Sequence, residues 1–162
     1  MVIKSGNAIL LLRYNNYKKT DFIEEHNKVT AENGYVWLLK TGRKLVEKNL
    51  QKVMDESSVL LLKAPKSSGG RLFYARIIEY RYGKQEQEKK SPEYYKELVD
   101  DDKLWQIDSL EGTWFKISKI EALDETIMDK LVLISNGKKV SEVIGSTMSS
   151  SLYICGKEDV TL

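Results

Sequence analysis

Histidine and cysteine are almost missing from this sequence: its 162 residues contain one of each, His26 and Cys155. A single cysteine excludes an intrachain disulfide framework and fits a reducing compartment. One His and one Cys also make no Cys/His metal cluster of any recognised spacing, so no metal and no cofactor is expected. His26 falls on the inward face of a helical pattern, where a satisfied packing histidine is the ordinary reading. Cys155 sits in the apolar stretch SLYIC, where it reads as a small buried hydrophobe lacking an activating base. Long hydrophobic runs are lacking too. The longest near the start, AILLL at 8–12, is too short for a signal sequence or for the ~20 residues of a spanning helix. Charge of one sign is not in excess, since 26 Lys and Arg face 24 Asp and Glu for a net charge of +2. No overall field advertises a polyanion, yet net charge says little about a local groove. The expectation is a soluble, cytoplasmic single domain over 1–162, with no membrane partner.

Catalytic signatures are equally scarce. There is no G-x-x-x-x-G-K-[ST] loop, and KSSGGR at 66–71 reads as a flexible turn. Asp100, Asp101 and Asp102 form an acidic run in a charged stretch, where a solvated face is the ordinary explanation. No catalytic residue is assigned, and the chain reads as a binding module and not an enzyme.

What is present is an alternation of short apolar runs and amphipathic segments. Residues 8–13 read as a buried strand. In TDFIEEHNKVTAENG, Asp21 and Glu24 form a capping box, and Phe22, Ile23, His26, Val29 and Thr30 share one face. Gly34 stops the helix. A strand over 35–40 follows, then a helix in LVEKNLQKVM with Leu45, Val46, Leu50 and Val53 inward. SVLLLKA and RLFYARIIEYRY read as strands joined by a hairpin-length turn, the second with Phe73, Ala75 and Ile77 on one face and Leu72, Tyr74, Ile78, Tyr80 and Tyr82 on the other. Residues 83–104 form a charged loop that can hold one short helix, SPEYYKELV. Beyond it come a strand in WFKISKI, short helices at 125–133 and in KKVSEVIG, a last strand in SLYIC, and a charged ending, GKEDVTL, of linker character. Such interspersion disfavours a purely parallel sheet. The fold class expected is α+β, a small mixed sheet curled into an open barrel and flanked by helices.

Aromatic and basic residues carry the only functional signal. Trp105 follows DDDK where the charged loop returns to the domain, and it either anchors that loop on the core or lines a pocket. Trp37 is flanked by Val36 and Leu38 and reads as core. Stacking on an aromatic face repays part of the cost of unstacking a nucleobase, by ~1–3 kcal/mol per base. Lys40, Arg43 and Lys44 follow one strand, Lys63 and Lys66 the next, and Arg71 opens a third, which makes a phosphate-facing rim credible.

The order helix–GYVWLLKTGR–helix–SVLLLKAPKSSGGRLFYARIIEY–charged loop–Trp–GTWFKISKI resembles the EVE/YTH branch of the PUA-like fold. More narrowly, DFIEEHNKVTAENGYVWLLK with SNGKKVSEVIGSTMSSSLYI resembles the N-terminal recognition domains of McrB-type, modification-dependent restriction systems, over roughly residues 20–155. The resemblance implies an EVE-like, PUA-like domain that accepts a flipped, methylated base in an aromatic pocket. Trp105 would be its stacking wall, while Lys40, Thr41, Gly42, Lys63 and Ala64 would present groups to the base edge. YTH domains carry a further cage Trp where KVMDESSV (52–59) has no aromatic, so Tyr35, Trp37 or Tyr74 would supply the second wall. Lys40, Arg43, Lys44, Lys66 and Arg71 would meet phosphate. The implied partners are methylated DNA, with RNA as the other candidate, an AAA+ motor as C-terminal continuation, and a separate nuclease subunit. The alternatives are an RNA-binding PUA-like domain and a protein-interaction or assembly module that uses SPEYYKELV as a docking helix.

Overall fold

A computed structural model describes residues 1–83, 90–95, 97 and 112–162. Trp105, Asp100, Asp101 and Asp102 lie outside the described residues, as does most of the charged loop. The chain forms two compact units, each assembled from separate segments.

The first unit comprises residues 1–15, 47–74 and 121–162. Its strands are β1 (Val2–Ile3), β2 (Ile9–Arg13), β4 (Val59–Lys63), the first three residues of β5 (Leu72–Tyr82), β7 (Glu121–Leu123), β8 (Leu131–Leu133), β9 (Ser151–Gly156) and β10 (Val160–Thr161). Strand order runs β7-β5-β4-β2-β9-β8, and β1 pairs with β10 separately. β2 and β4 are parallel, while β2–β9, β8–β9 and β5–β7 are antiparallel. Residues 9–12 and 59–62 are all buried. Ile9, Leu11, Val59 and Leu61 join one cluster with Met128, Leu131, Val140 and Ile154. The even-numbered leucines are equally shielded, as strands covered on both faces must be. That double cover is why AILLL and SVLLL show no alternation. Helix α2 (Glu47–Glu56) packs on β2 and buries Leu50 and Val53.

The second unit comprises residues 16–46 and 75–120. It holds α1 (Phe22–Asn33), β3 (Val36–Lys40), the rest of β5 and β6 (Thr113–Ile117), in the antiparallel order β3-β6-β5. Asp21 accepts the Glu24 amide at 2.9 Å, and Gly34 closes α1 at φ +82° with its N–H on the Thr30 carbonyl. The side-chain amide of Asn27 holds both backbone groups of Ile120, at 2.9 and 2.8 Å.

His26 is fully buried, and both ring nitrogens are satisfied. Nδ1 lies 2.7 Å from the Phe22 carbonyl, which can only accept, so Nδ1 carries the proton. Nε2 then accepts from the Tyr95 hydroxyl at 2.7 Å, whose oxygen in turn accepts the Leu39 N–H at 3.1 Å. Tyr95 packs with Trp37 and Trp114. Four groups on three segments thus share one hydrogen-bonded network in which imidazole is neutral.

The class is α+β with mostly antiparallel pairing, and neither unit closes its strands into a ring among the described residues. Several boundaries differ from expectation. α2 starts at Glu47, so Val46 lies before it and is exposed, not inward. A bulge between Ile77 and Glu79 makes Ile78 an extra residue, so Tyr80 and Tyr82, opposite Phe115 and Thr113, share the face of Ile77 and not that of Leu72 and Tyr74. Residues 125–133 form a 3-10 turn (Glu125–Lys130) followed by β8. The ending is not linker-like as far as β10, where Val160 is buried and Thr161 pairs with Val2. No helix among the described residues is long and apolar enough to cross a membrane.

The His26 network makes stability depend on pH. Burial lowers the imidazole pKa from 6.5 to about 4, so between these values the unfolded chain binds a proton that the folded chain refuses. Stability is therefore intact above pH 6.5 and falls as pH drops towards 4, by up to ~3 kcal/mol. Urea midpoints for wild type and His26→Gln should converge as pH falls over this interval, because the variant lacks this titration. A constant gap between the two curves would contradict it.

Candidate nucleic-acid interface

In the first unit, the parallel register sets Arg13, the last residue of β2, beside Lys63, the last residue of β4. Each strand is an apolar run of four ended by a cation, ILLLR and VLLLK. Both cations therefore leave the sheet at the carboxyl edge of a parallel pair, where loops diverge and leave room for ligands. A cavity of about 500 Å³ opens there. Arg13, Lys63 and Lys66 line it together with Glu125 and Asp129, and Met128, Ile144 and Ala64 add apolar surface.

The turn from β4 to β5 shapes one wall. A short 3-10 turn (Lys66–Ser68) leads into Gly69 and Gly70, both left-handed at φ +87° and +62°. Lys63 Nζ donates to the Gly70 carbonyl, and the Arg13 guanidinium donates to the Thr147 carbonyl at 2.7 Å. Both cations are thus tethered to backbone oxygens of neighbouring loops. Lys66 is exposed, and its side chain makes no hydrogen bond or ion pair among the described residues. The Ala64 N–H is already given to the Arg71 carbonyl at 2.9 Å, closing the hairpin, so it is not available to a base edge. Arg71 lies over the Phe73 ring at 4.9 Å. Tyr74 is half-buried on β5, and its hydroxyl donates to Glu121 at 2.8 Å.

The second unit holds the remaining candidates. Lys40 ends β3 opposite Thr113; its ammonium donates to the Thr41 carbonyl at 3.2 Å, and burial lowers its pKa below the ordinary 10.5. Gly42 turns the chain at φ +94°. Leu45 then pins the segment: its N–H is accepted by the Thr113 hydroxyl at 3.0 Å, and its carbonyl accepts from Tyr82 at 2.5 Å. Arg43 is exposed, and Lys44 sits 5.7 Å from the Tyr82 ring centre. Trp37 is 5% exposed with the Arg81 guanidinium 5.3 Å over its ring. Tyr35 is half-buried under the Lys116 ammonium at 4.2 Å. Both rings therefore already carry a cation.

The first unit thus gathers Lys63, Ala64 and Lys66 at one cavity and adds Arg13, which the sequence reading missed. Its signal was the matching cation at the end of ILLLR. Glu125 and Asp129 were missed as well, because a 3-10 turn was read as an ordinary short helix. Tyr95 is 3% exposed and Tyr94 stacks on Tyr17 at 5.3 Å, so a docking role for SPEYYKELV would not use these two side chains. A second cavity of about 360 Å³ in the same unit, beside Asn49 and Tyr153, has Lys52 as its one cation. The Tyr153 hydroxyl is shielded there, and burial raises its pKa; Asn49 lies near enough to oppose that shift without making a hydrogen bond of ordinary geometry. Burial likewise raises the Cys155 thiol, so it stays protonated at neutral pH. Among the described residues no group of three His, Cys, Asp or Glu side chains could hold a metal ion. No family model, curated protein or solved structure matches the chain.

Gly112 sets the Lys40 end of β3. It is left-handed at φ +64°, and a β-carbon there would lie 2.6 Å from the Lys40 carbonyl oxygen. Gly112→Ala should cost roughly 1–3 kcal/mol in urea unfolding. Gly6→Ala, with a similar φ but open space around it, should cost less, ~1 kcal/mol. Equal losses would mean that the approach to Lys40 does not constrain the turn.

Proposed function

We propose that this chain is a non-catalytic recognition module of the EVE-like, PUA-like kind that binds nucleic acid with a modified, methylated base turned out of its stack. It would serve as the targeting domain of a McrB-type restriction system in the cytoplasm. An AAA+ motor continuing the chain and a partner nuclease would carry the catalysis. The observation that carries this reading is the cavity at the ends of β2 and β4. Its volume of about 500 Å³ lies within the ~300–1,000 Å³ usual for small-ligand sites, enough for one nucleotide. Arg13, Lys63 and Lys66 on its lining suit a phosphate, because each cation that meets phosphate releases a counterion. Extruding a base costs a few kcal/mol, least for a base that is already unpaired, and a ring such as Trp105 would return part of that cost by stacking. In the second unit, Lys40 and Arg43 would also meet phosphate.

Titration of methylated and unmodified DNA and RNA oligonucleotides, followed by fluorescence anisotropy, tests this. Affinity should fall with salt, and Lys66→Ala should flatten the slope of log K against log salt by about 1. Lys66 is the clean choice because removing it breaks no internal contact. Trp105→Ala should weaken binding to every sequence. Absence of binding to all four oligonucleotides, or a salt slope and affinity that neither variant alters, would overturn the proposal. Tighter binding of RNA than DNA of the same sequence would point to recognition through the 2′-hydroxyl.

A further inference from the structure

The loop of residues 145–150 joins a short helix (Val140–Val143) to β9 and borders the cavity through Gly145. In it stands Met148, which is 98% exposed, against 61% for Val46, the next most exposed large hydrophobic residue described. The residues on either side are held. The Ser146 and Thr147 N–H groups both go to the Val143 carbonyl, at 2.9 and 3.0 Å, and the Thr147 hydroxyl accepts the Ser149 N–H at 3.1 Å. The Ser149 hydroxyl donates to the Ser151 carbonyl at 2.7 Å, and the Arg13 N–H to the Ser150 carbonyl at 2.9 Å. Single exposed apolar side chains are common and by themselves say nothing. What sets Met148 apart is its place. Arg13 lines the cavity, and its guanidinium is bound by the carbonyl oxygens one residue before and one residue after Met148, at 2.7 Å to Thr147 and 3.5 Å to Ser149. A phosphate that meets Arg13 thus lies beside Met148, with the sugar and base of its nucleotide close by.

From this we infer that Met148 is a wedge that enters the base stack of a double helix next to the turned-out nucleotide, so that the site takes its base from a duplex. The inference rests on the nucleic-acid reading above and deepens it by naming the form of the ligand. Turning a base out of a duplex opens a gap in the stack, and apolar side chains, methionine among them, hold such steps apart by entering between them. Methionine suits the task because it is unbranched and its polarizable sulfur makes favourable contacts with aromatic rings. A thioether that is bare in the free protein gains burial only when it enters such a gap. Ser146, Thr147, Ser149 and Ser150 around it are small and polar, so no second apolar side chain competes for the position. The tethers matter as much. A wedge on a slack loop would lose backbone freedom on entering the stack, whereas this loop has given up that freedom before binding. A single strand holds no paired partner that must be parted, and its bases leave their stack at least cost, so the wedge has little to do there.

The test takes the tightest-binding sequence of the titration above and compares it alone and paired with its complement. Wild type should bind the duplex, and Met148→Ala should weaken duplex binding by ~10-fold while changing single-strand binding by less than ~2-fold. Met148→Leu, still apolar, should keep most of the duplex affinity. Because the side chain is 98% exposed, neither substitution should move the urea midpoint. A 2-aminopurine beside the target base gives a direct readout. Its fluorescence should rise when wild type saturates the duplex, and rise less with Met148→Ala at saturation. An equal loss on duplex and single strand, no loss on the duplex, an equal rise in fluorescence, or no duplex binding at all would overturn the inference. Each of these leaves the nucleic-acid reading standing as long as the single strand binds. If neither form binds, that reading itself fails and the inference falls with it.

Discussion

Parallel pairing of β2 with β4 is the constraint from which the rest of the chain path follows. Two parallel strands cannot be joined by a tight turn, so the polypeptide must travel back before re-entering the sheet. Here the return holds α1, β3 and α2, and its first part, residues 16–46, belongs to the second unit. β5 then leaves the first unit after Tyr74, and the chain comes back to it only at Glu121. Two compact units built from interleaved segments result from two excursions out of one sheet. The same register that demands the first excursion sets Arg13 next to Lys63, so the topology and the cationic edge have one cause.

Within the second unit, a single imidazole links two backbone groups from separate segments. The Phe22 carbonyl accepts from Nδ1, and the Leu39 amide reaches Nε2 through the Tyr95 hydroxyl. Each bond contributes only about 1 kcal/mol net, but a broken member would strand buried donors and acceptors at ~1–3 kcal/mol each. The network thus specifies which segments meet more than it adds to their cohesion. It also fixes the protonation state: a charged imidazole here has lost its water and has no carboxylate in contact among the described residues.

Local chemistry made part of this readable. The Asp21 cap, the Gly34 stop and the inward face with Phe22, His26 and Thr30 follow from rules that act within one helix turn, and α1 stands where they place it. The hairpin through 64–71 was equally local. What escaped were features set by distant partners. Val160 is buried because β10 pairs with β1 across nearly the whole sequence, and nothing in GKEDVTL reveals that partner. The bulge at Ile78 comes from the register of β6 and not from any turn residue in RIIEY. Arg13 was passed over for the same reason: the matching cation at the end of ILLLR is in the sequence, but only the pairing of two similar runs makes it a neighbour of Lys63. Among the aromatics, Trp37 was legible as core from Val36 and Leu38 on either side, whereas the cations over Tyr35 and Trp37 come from strands far along the chain.

The tethering of Arg13 and Lys63 bears on how such an edge can bind. A lysine or arginine free in water gives up side-chain freedom when it meets a phosphate, a cost of ~0.5–1.5 kcal/mol for each side chain immobilised. Arg13 and Lys63 have met part of that cost already, because loop carbonyls hold them in place. Carbonyl oxygens are weak partners for a full positive charge, so the cations remain available to an anion in a way that a carboxylate partner would prevent. Glu125 and Asp129 stand on the same cavity without closing that pair. The loops at 64–70 and 145–150 therefore do two things at once: they position the positive charges and keep them from being neutralised by the negative ones nearby.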